Sequence, residues 1–227
     1  MDFITGNILA TNQQIAHAAA LAGRDAAEIT LIAATKTQDA AIIEAAYAAG
    51  IRNFGENYLD EAVKKIAHLD LPDATWHFIG RIQSNKTKLI ATHFDWVQTV
   101  DRIKIAKRLS EQRGETAPLN VLIQVNVDAD PAKAGVLVAD LPDLIQAVAD
   151  LENLTLRGLM TILDPASDPA TSYQSMAQLF ADAKARLPHG HPWDTLSMGM
   201  SGDMAEAIAA GATHVRIGTA LFGPRKK

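Results

Sequence analysis

The stretch ITLIAATKTQDAAIIEAAYAAG, residues 29–50, contains one complete strand-and-helix unit. Ile29–Thr35 is a short, uncharged run rich in apolar residues, which is typical of a strand buried on both faces. Polar residues follow it, and Ala40–Ala49 then has the apolar spacing of a helix that ends at Gly50. This unit predicts a buried strand, a short loop and a helix that packs back against the strand.

The same order of strand, loop and helix recurs along the rest of the chain. We predict seven further strands, each followed by a helix, and an extra N-terminal helix over residues 2–22. The further strands are Asn53–Glu56, Thr75–Ile79, Trp96–Val100, Asn120–Val127, Thr155–Ile162, Thr195–Met198 and His214–Ile217. The helices that follow them are Tyr58–His68, Lys86–Thr92, Arg102–Arg113, Leu141–Ala149, Thr171–Arg186, Asp203–Ala210 and Thr219–Phe222.

Eight such units of about 25 residues each favour an α/β fold in which the strands close into a single (β/α)8 TIM barrel. Alternating strands and helices imply right-handed crossovers and therefore a parallel sheet. The alternative, an open doubly wound sheet, is disfavoured because no strand is followed by a G-x-G-x-x-G fingerprint. No linker divides the chain, so residues 1–227 are predicted to form one domain, with loops at 128–135 and 163–170.

The composition excludes several classes of function. The net charge of −5 does not match the basic footprint of a nucleic-acid-binding protein. The absence of cysteine excludes disulfides, thiolate chemistry and cysteine-based zinc sites, and the histidines show no metal-ligand spacing. There is no signal-peptide pattern and no apolar run of about 18–20 residues that would span a bilayer. We therefore expect a cytoplasmic protein without metal, nucleic-acid or membrane partners.

Lys36 is the first candidate for a functional residue. Functional residues of such barrels lie on the loops after the carboxyl ends of the strands, and Lys36 follows the uncharged run Ile29–Thr35. Partial desolvation at the barrel rim would lower the pKa of its amine and free the lone pair for attack on a carbonyl. The alternative is a rim lysine whose charged end extends into water. Position alone leaves both open.

The turns after the seventh and eighth strands are the second candidate, because barrels frequently bind phosphate there. Met200 and Ser201 open the seventh helix, and Gly218 and Thr219 open the last one. Free backbone N–H groups at a helix start favour an anion. Ordinary helix capping by Ser201 and Thr219, without a ligand, is the alternative.

Arg216 shares a face of the eighth strand with Gly218, so it points into the barrel if Gly218 lines the ligand site. A buried arginine needs a partner, which could be a carboxylate such as Glu56 or a ligand atom. Asn57, after the second strand, could hydrogen-bond a ligand or cap the next helix. We interpret His77 as a satisfied core histidine.

These positions carry a resemblance to a known family. The chain resembles the pyridoxal 5′-phosphate (PLP) homeostasis proteins, also called the YggS/PROSC or PLP-binding protein family, over nearly its whole length. The matching segments are residues 22–25, 35–37, 53–58, 76–80, 83–86, 158–160, 196–203 and 215–223. The resemblance implies a single barrel like the N-terminal domain of alanine racemase.

The resemblance also implies a set of cofactor-binding residues. Lys36 is similar to the lysine that binds PLP covalently as a Schiff base, and Arg216 to the arginine that faces the pyridine nitrogen. The remaining members are Asn57, which lines the pocket, and Ser201, Gly218 and Thr219 in the phosphate-binding turns. We add Met200 because it opens the helix beside Ser201, with packing as the alternative.

The chain departs from the family pattern in places. Gln38 stands where some members have a second lysine, so a transfer role for that lysine is not carried over. Arg81 stands where many members have histidine. Lys133 stands where the family usually has a lysine, in the loop after the fifth strand, but the residues around it are unusual.

PLP catalysis requires an electron sink and a proton shuttle. Arg216 stays protonated, and opposite the pyridine nitrogen it would weaken that sink. Alanine racemase also supplies a second domain and a tyrosine base, and we expect neither here, because the sequence stops just after the eighth predicted strand and Tyr47, Tyr58 and Tyr173 offer no obvious replacement. We therefore expect a monomeric PLP carrier without robust catalysis and without catalytic residues, which stores, buffers or delivers PLP, with PLP-dependent apoenzymes as transient partners. The alternatives are a low-activity amino-acid racemase and a cofactor-free aldolase that uses Lys36 on a sugar phosphate.

Overall fold

The computed structural model describes residues 2–224, which form a ring of parallel strands surrounded by helices. The strands are β1 Thr30–Ala34, β2 Asn53–Glu56, β3 Thr75–Phe78, β4 Trp96–Val100, β5 Leu119–Asn126, β6 Val136–Leu137, β7 Leu154–Met160, β8 Thr195–Ser197 and β9 His214–Ile217. The α-helices are α1 Asp2–Leu21, α2 Ala40–Ala48, α3 Leu59–His68, α4 Thr87–His93, α5 Ile103–Arg113, α6 Leu141–Ala149, α7 Pro169–Lys184, α8 Met204–Ala209 and α9 Thr219–Phe222.

Eight strands close the ring in the order β1-β2-β3-β4-β5-β7-β8-β9, and every neighbouring pair is parallel. The predicted (β/α)8 barrel is therefore confirmed. The eight predicted strands and their helices agree with the observed bounds within two residues, a difference expected at fraying ends. The two-residue strand β6, which pairs with β5, was not predicted because periodicity is unreadable in so short a run.

The predicted N-terminal helix is confirmed as α1, which packs against α2, α8 and α9. Its Asn7 side chain donates a hydrogen bond to the Leu221 carbonyl oxygen, at 2.9 Å, and so ties the two ends of the described chain together. Within residues 2–224, no helix has the combination of length and apolar character needed to cross a membrane.

Side chains at alternate strand positions face opposite sides of the barrel wall. Those that point outward pack beneath the helices in one continuous apolar cluster. The barrel interior is different, because buried polar side chains share it with apolar ones. The apolar interior residues include Ile32, Ile79, Leu122 and Met160, and the polar ones His77, Gln98, Ser197 and Arg216.

Candidate functional site

The loop that contains Lys36 and the turn after β9 lie side by side at the carboxyl end of the barrel. Lys36 is half-buried and follows β1 by two residues. A Cβ atom added to Gly218 would lie 3.3 Å from the Ala34 carbonyl oxygen and 3.5 Å from the Ala34 Cβ. Glycine at 218 therefore allows the β9 turn to approach the end of the strand that leads to Lys36.

The turns after β8 and β9 present free backbone donors. The Arg216 amide donates to the Gly199 carbonyl oxygen at 3.0 Å, which joins the two segments. Within residues 2–224, the amides at 201, 202, 218 and 219 donate to no protein acceptor. Four unpaired amide donors in neighbouring turns are suited to an anion such as phosphate. The helices α8 and α9 are only one to two turns long, so the amides contribute more than a helix dipole.

Met200 differs from the other predicted members of these turns. Its amide already donates to the Asp203 carboxylate, with 2.6 Å between Met200 N and Asp203 Oδ1. Its side chain is exposed. Of its side chain and its amide, only the side chain is thus available for a ligand.

Arg216 is buried inside the barrel and hydrogen-bonds neutral groups. Its Nη1 donates to Ser197 Oγ at 2.7 Å, and its Nη2 donates to the Thr161 carbonyl oxygen at 2.8 Å. Burial lowers the pKa of Arg216 to about 10, so the guanidinium stays charged at neutral pH. The suggested partner Glu56 is wrong: alternation along β2 turns its side chain outward, where it pairs with Lys65.

A chain of buried hydrogen bonds continues behind Arg216 across the barrel. Ser197 Oγ donates to Gln98 Oε1 at 2.7 Å, and Gln98 Nε2 lies 3.0 Å from His77 Nδ1. His77 Nε2 lies 3.0 Å from Asn53 Oδ1, which fits a neutral ring with its proton on Nε2. Burial lowers the pKa of His77 well below its ordinary value. The interpretation of His77 as a satisfied core histidine is confirmed.

Sequence reasoning did not include Gln98 and Ser197 in the site. The available signal was a polar residue in phase with the inward-facing positions of a predominantly apolar strand. Both residues are fully buried, and together they fix the orientation of Arg216.

Asn57 lies at the barrel mouth without capping a helix. Its Nδ2 is 3.5 Å from the Ile79 carbonyl oxygen, and its buried Oδ1 has no hydrogen-bond partner among the described residues. A buried acceptor left without a donor costs about 1–3 kcal/mol, so Oδ1 is suited to a ligand donor. Helix α3 is capped at Tyr58 without a side-chain hydrogen bond, which excludes the capping alternative for Asn57.

An open cavity of about 220 Å³ extends from Asn57 across the barrel mouth. Its lining includes Arg81, Gln124 and Lys133, and Lys133 Nζ lies 3.4 Å from the Ile162 carbonyl oxygen. The cavity is therefore lined both by Arg81, where the sequence departs from the family pattern, and by Lys133, where the family usually has a lysine. No cluster of three or more potential metal ligands occurs within residues 2–224.

Comparisons with known proteins give a consistent assignment. The family model of the alanine racemase N-terminal domain matches residues 10–226. The pyridoxal phosphate homeostasis protein of Escherichia coli is 50% identical over 232 residues, which cover 99% of this chain and 98% of the relative. The protein of the same name from Pseudomonas aeruginosa is 53% identical over 227 residues, with 99% and 97% covered.

Solved structures agree with this assignment. PipY of Synechococcus elongatus with PLP bound superposes with a TM-score of 0.82 at 39% identity, covering 92% of this chain and all of that one. Alanine racemase from Corynebacterium glutamicum has a TM-score of 0.70 at 18% identity, covering 99% of this chain and 61% of that chain, and this likeness supports the fold alone. The chain therefore belongs to the alanine racemase N-terminal domain family and, within it, to the pyridoxal phosphate homeostasis proteins.

Proposed function

We propose that the protein binds PLP and serves in its homeostasis by storing, buffering or delivering the cofactor. The observation that carries this proposal is the pair of turns with four unpaired amides, one of which packs against the end of the strand leading to Lys36. A phosphate and a reactive carbonyl at opposite ends of one small molecule match this arrangement. Close relatives named for PLP homeostasis, and PipY with PLP bound, support it further.

The residues present fit PLP in three separate ways. The amides of Ser201, Gly218 and Thr219 are suited to its phosphate, and that of Gly202 adds a fourth donor. The charged guanidinium of Arg216 is suited to the pyridine nitrogen as a hydrogen-bond donor. PLP would supply an aldehyde, with which the neutral amine of Lys36 would form a reversible Schiff base. The aldehyde oxygen and both amine hydrogens would leave as water.

Asn57 and Met200 complete the proposed set. The unpaired Oδ1 of Asn57 would accept a hydrogen bond from bound cofactor, and the exposed Met200 side chain would cover part of it. Both are subsidiary to the phosphate turns, because neither side chain carries a charge.

We infer a carrier without robust catalysis. A guanidinium opposite the pyridine nitrogen favours an unprotonated ring, which is a weak electron sink. Tyr173 is the tyrosine nearest the β8 turn, facing Asp203 and the Gly199 backbone. Burial, together with Asp203, raises its pKa above the ordinary value, so it is a poor proton acceptor at neutral pH.

Borohydride reduction followed by peptide mapping tests the proposal. The protein mixed with PLP should turn yellow, and reduction should leave a phosphopyridoxyl group on Lys36. The label should be lost in Lys36→Ala and kept in Lys64→Ala, a matched exposed lysine on α3. A colourless protein that takes up no PLP, or a label on other lysines only, would overturn the proposal.

The same samples distinguish carrier from catalyst. Exchange of the α-proton of amino acids in heavy water, lost in Lys36→Ala, would favour a racemase. Labelling that requires an added sugar phosphate instead of PLP would favour an aldolase. The proposal also includes a single-domain monomer in the cytoplasm with transient apoenzyme partners, which light scattering, cell fractionation and PLP-transfer assays would test.

A further inference from the structure

A buried ion-pair network lies directly beneath the Lys36 loop, between β1, β2 and α3. Lys65 Nζ donates to Glu56 Oε1 at 2.8 Å, to the Thr35 carbonyl oxygen at 2.8 Å and to Glu61 Oε1. All three ammonium donors are therefore used. Glu56 is fully buried and Lys65 nearly so, which is unusual for two charged residues outside the ligand pocket.

The network holds the backbone on both sides of Lys36. Before it, Thr35 Oγ1 donates to Glu56 Oε1 at 2.8 Å, in addition to the bond from Lys65 to the Thr35 carbonyl. After it, the Thr37 amide donates to Glu61 Oε1 at 2.8 Å. The two peptide units that flank Lys36 are thus held by Lys65 and Glu61 from α3, while Glu56 from β2 holds the Thr35 side chain.

The hydrogen bond of the Thr37 amide holds Thr37 in a backbone conformation that its residue type disfavours. Its φ of 64° lies in the left-handed region, where a β-branched residue is a genuine outlier. Such a conformation costs about 1–3 kcal/mol and persists only where the surroundings enforce it. The bond from the Thr37 amide to Glu61 provides that enforcement next to the candidate lysine.

Stability alone does not account for the network. A buried ion pair is often no more stabilising than well-packed apolar residues, because desolvation offsets the attraction. Burial also raises the pKa of Glu56 despite the nearby ammonium, and Glu56 Oε2 has no partner among the described residues. The network thus has an energetic cost, and its contacts converge on residues 35–37.

We propose that Lys65, Glu56 and Glu61 are positioning residues that hold the Lys36 amine in the orientation needed to capture PLP. This inference rests on the proposed function, since it concerns the step in which the Lys36 nitrogen replaces the aldehyde oxygen. The aldehyde oxygen and the two amine hydrogens leave as water. None of the three residues needs to touch the cofactor.

The test separates the rate of capture from binding of the phosphate. Glu61→Ala removes the acceptor of the Thr37 amide, whereas Glu61→Gln keeps an acceptor; Asp60→Ala, an exposed acid on the same helix, is the control. Capture is followed by visible absorbance after mixing with PLP. Noncovalent binding is measured with pyridoxine 5′-phosphate, the alcohol counterpart that has no aldehyde.

We expect Glu61→Ala to slow capture at least about tenfold, since misplacing a reactive group by about 1 Å can cost more than that. Pyridoxine 5′-phosphate should bind Glu61→Ala as it binds the wild type, and Glu61→Gln should recover most of the capture rate. The double variant Glu56→Gln with Lys65→Met removes both buried charges together and should slow capture similarly. The remaining Glu61 carboxylate loses its ammonium partner but is partly exposed to water.

Unchanged capture rates in Glu61→Ala and in the double variant would overturn the positioning role. So would a parallel loss of pyridoxine 5′-phosphate binding, because that would indicate damage to the whole site. If wild-type protein captures no PLP on Lys36, the proposed function itself fails, and this outcome is distinct from the other two.

Discussion

Acid should destabilise this protein through a histidine in the barrel interior. Burial lowers the pKa of His214 to about 4. The cations Arg157 and Arg216 act in the same direction, while the Asp194 carboxylate opposes them. His214 is thus neutral in the folded protein down to a pH at which it is charged in the unfolded chain.

The sign and size of the effect follow from proton linkage. Between the ordinary pKa of 6.5 and about 4, the unfolded chain binds more protons at this site than the folded protein does. Stability is therefore fully present above about pH 6.5 and is lost as the pH falls towards 4. The difference of about 2.5 in pKa corresponds to on the order of 3 kcal/mol. His77 adds to the loss, because burial and His214 lower its pKa too.

Urea unfolding of PLP-free protein at pH 7 and pH 4 measures this contribution. The wild type should lose about 3 kcal/mol more unfolding free energy between these pH values than His214→Gln does, because only the wild type has the imidazole. Replacing the exposed His17 by glutamine is the matched control. An equal loss of unfolding free energy between pH 7 and pH 4 in the wild type and in His214→Gln would refute the reasoning. An NMR titration in which His214 is protonated near pH 6 would refute it too.

Three further outcomes are expected from the geometry. A Cβ on Gly80 would lie 2.1 Å from the Asn57 carbonyl oxygen, so Gly80→Ala should lower the free energy of unfolding by about 1–3 kcal/mol. The control is Gly6→Ala, because nothing lies within 4 Å of a Cβ added there. Equal urea midpoints for the two variants would contradict the prediction. Ser197→Ala removes one Arg216 acceptor and should cost about 1–3 kcal/mol in the same assay, and an unchanged midpoint would exclude the proposed orientation of Arg216. Asn57→Leu removes a buried unpaired acceptor and should raise the stability of PLP-free protein by about 1 kcal/mol while weakening PLP binding in equilibrium titrations; unchanged affinity would argue against a contact with the cofactor.

The local sequence pattern predicted the strands and helices of the fold and the end of the barrel at which the site lies. Ile29–Thr35 indicated a buried strand because it is short, uncharged and bounded by polar residues, and the observed strand is Thr30–Ala34. The rule that barrels function at the carboxyl ends of their strands led to Lys36 and to the turns around Ser201 and Gly218. The packing of Gly218 against Ala34 agrees with the expectation that the strand end before Lys36 and the turn at Gly218 lie together.

The hydrogen-bond partners of the buried polar side chains were harder to predict from the sequence. From the sequence, Glu56 was one possible hydrogen-bond partner for Arg216, but the observed acceptors are Ser197 and the Thr161 carbonyl. The reason is that barrel closure sets β9 beside β1 and β8, while alternation on β2 sends Glu56 towards α3. Which strand ends meet, and at what stagger, depends on the closed ring as a whole.

The sequence by itself determined the alternation of strands and helices, the inward phase of Arg216 and the location of Lys36 at a strand end. These features depend on neighbouring residues in the chain, whose side-chain periodicity is a local property. Only the tertiary structure decided that Lys65, Glu56 and Glu61 converge on the backbone around Lys36 and hold Thr37 in a left-handed conformation. That convergence joins residues up to 30 positions apart, and it exists only once α3 has packed against the closed barrel.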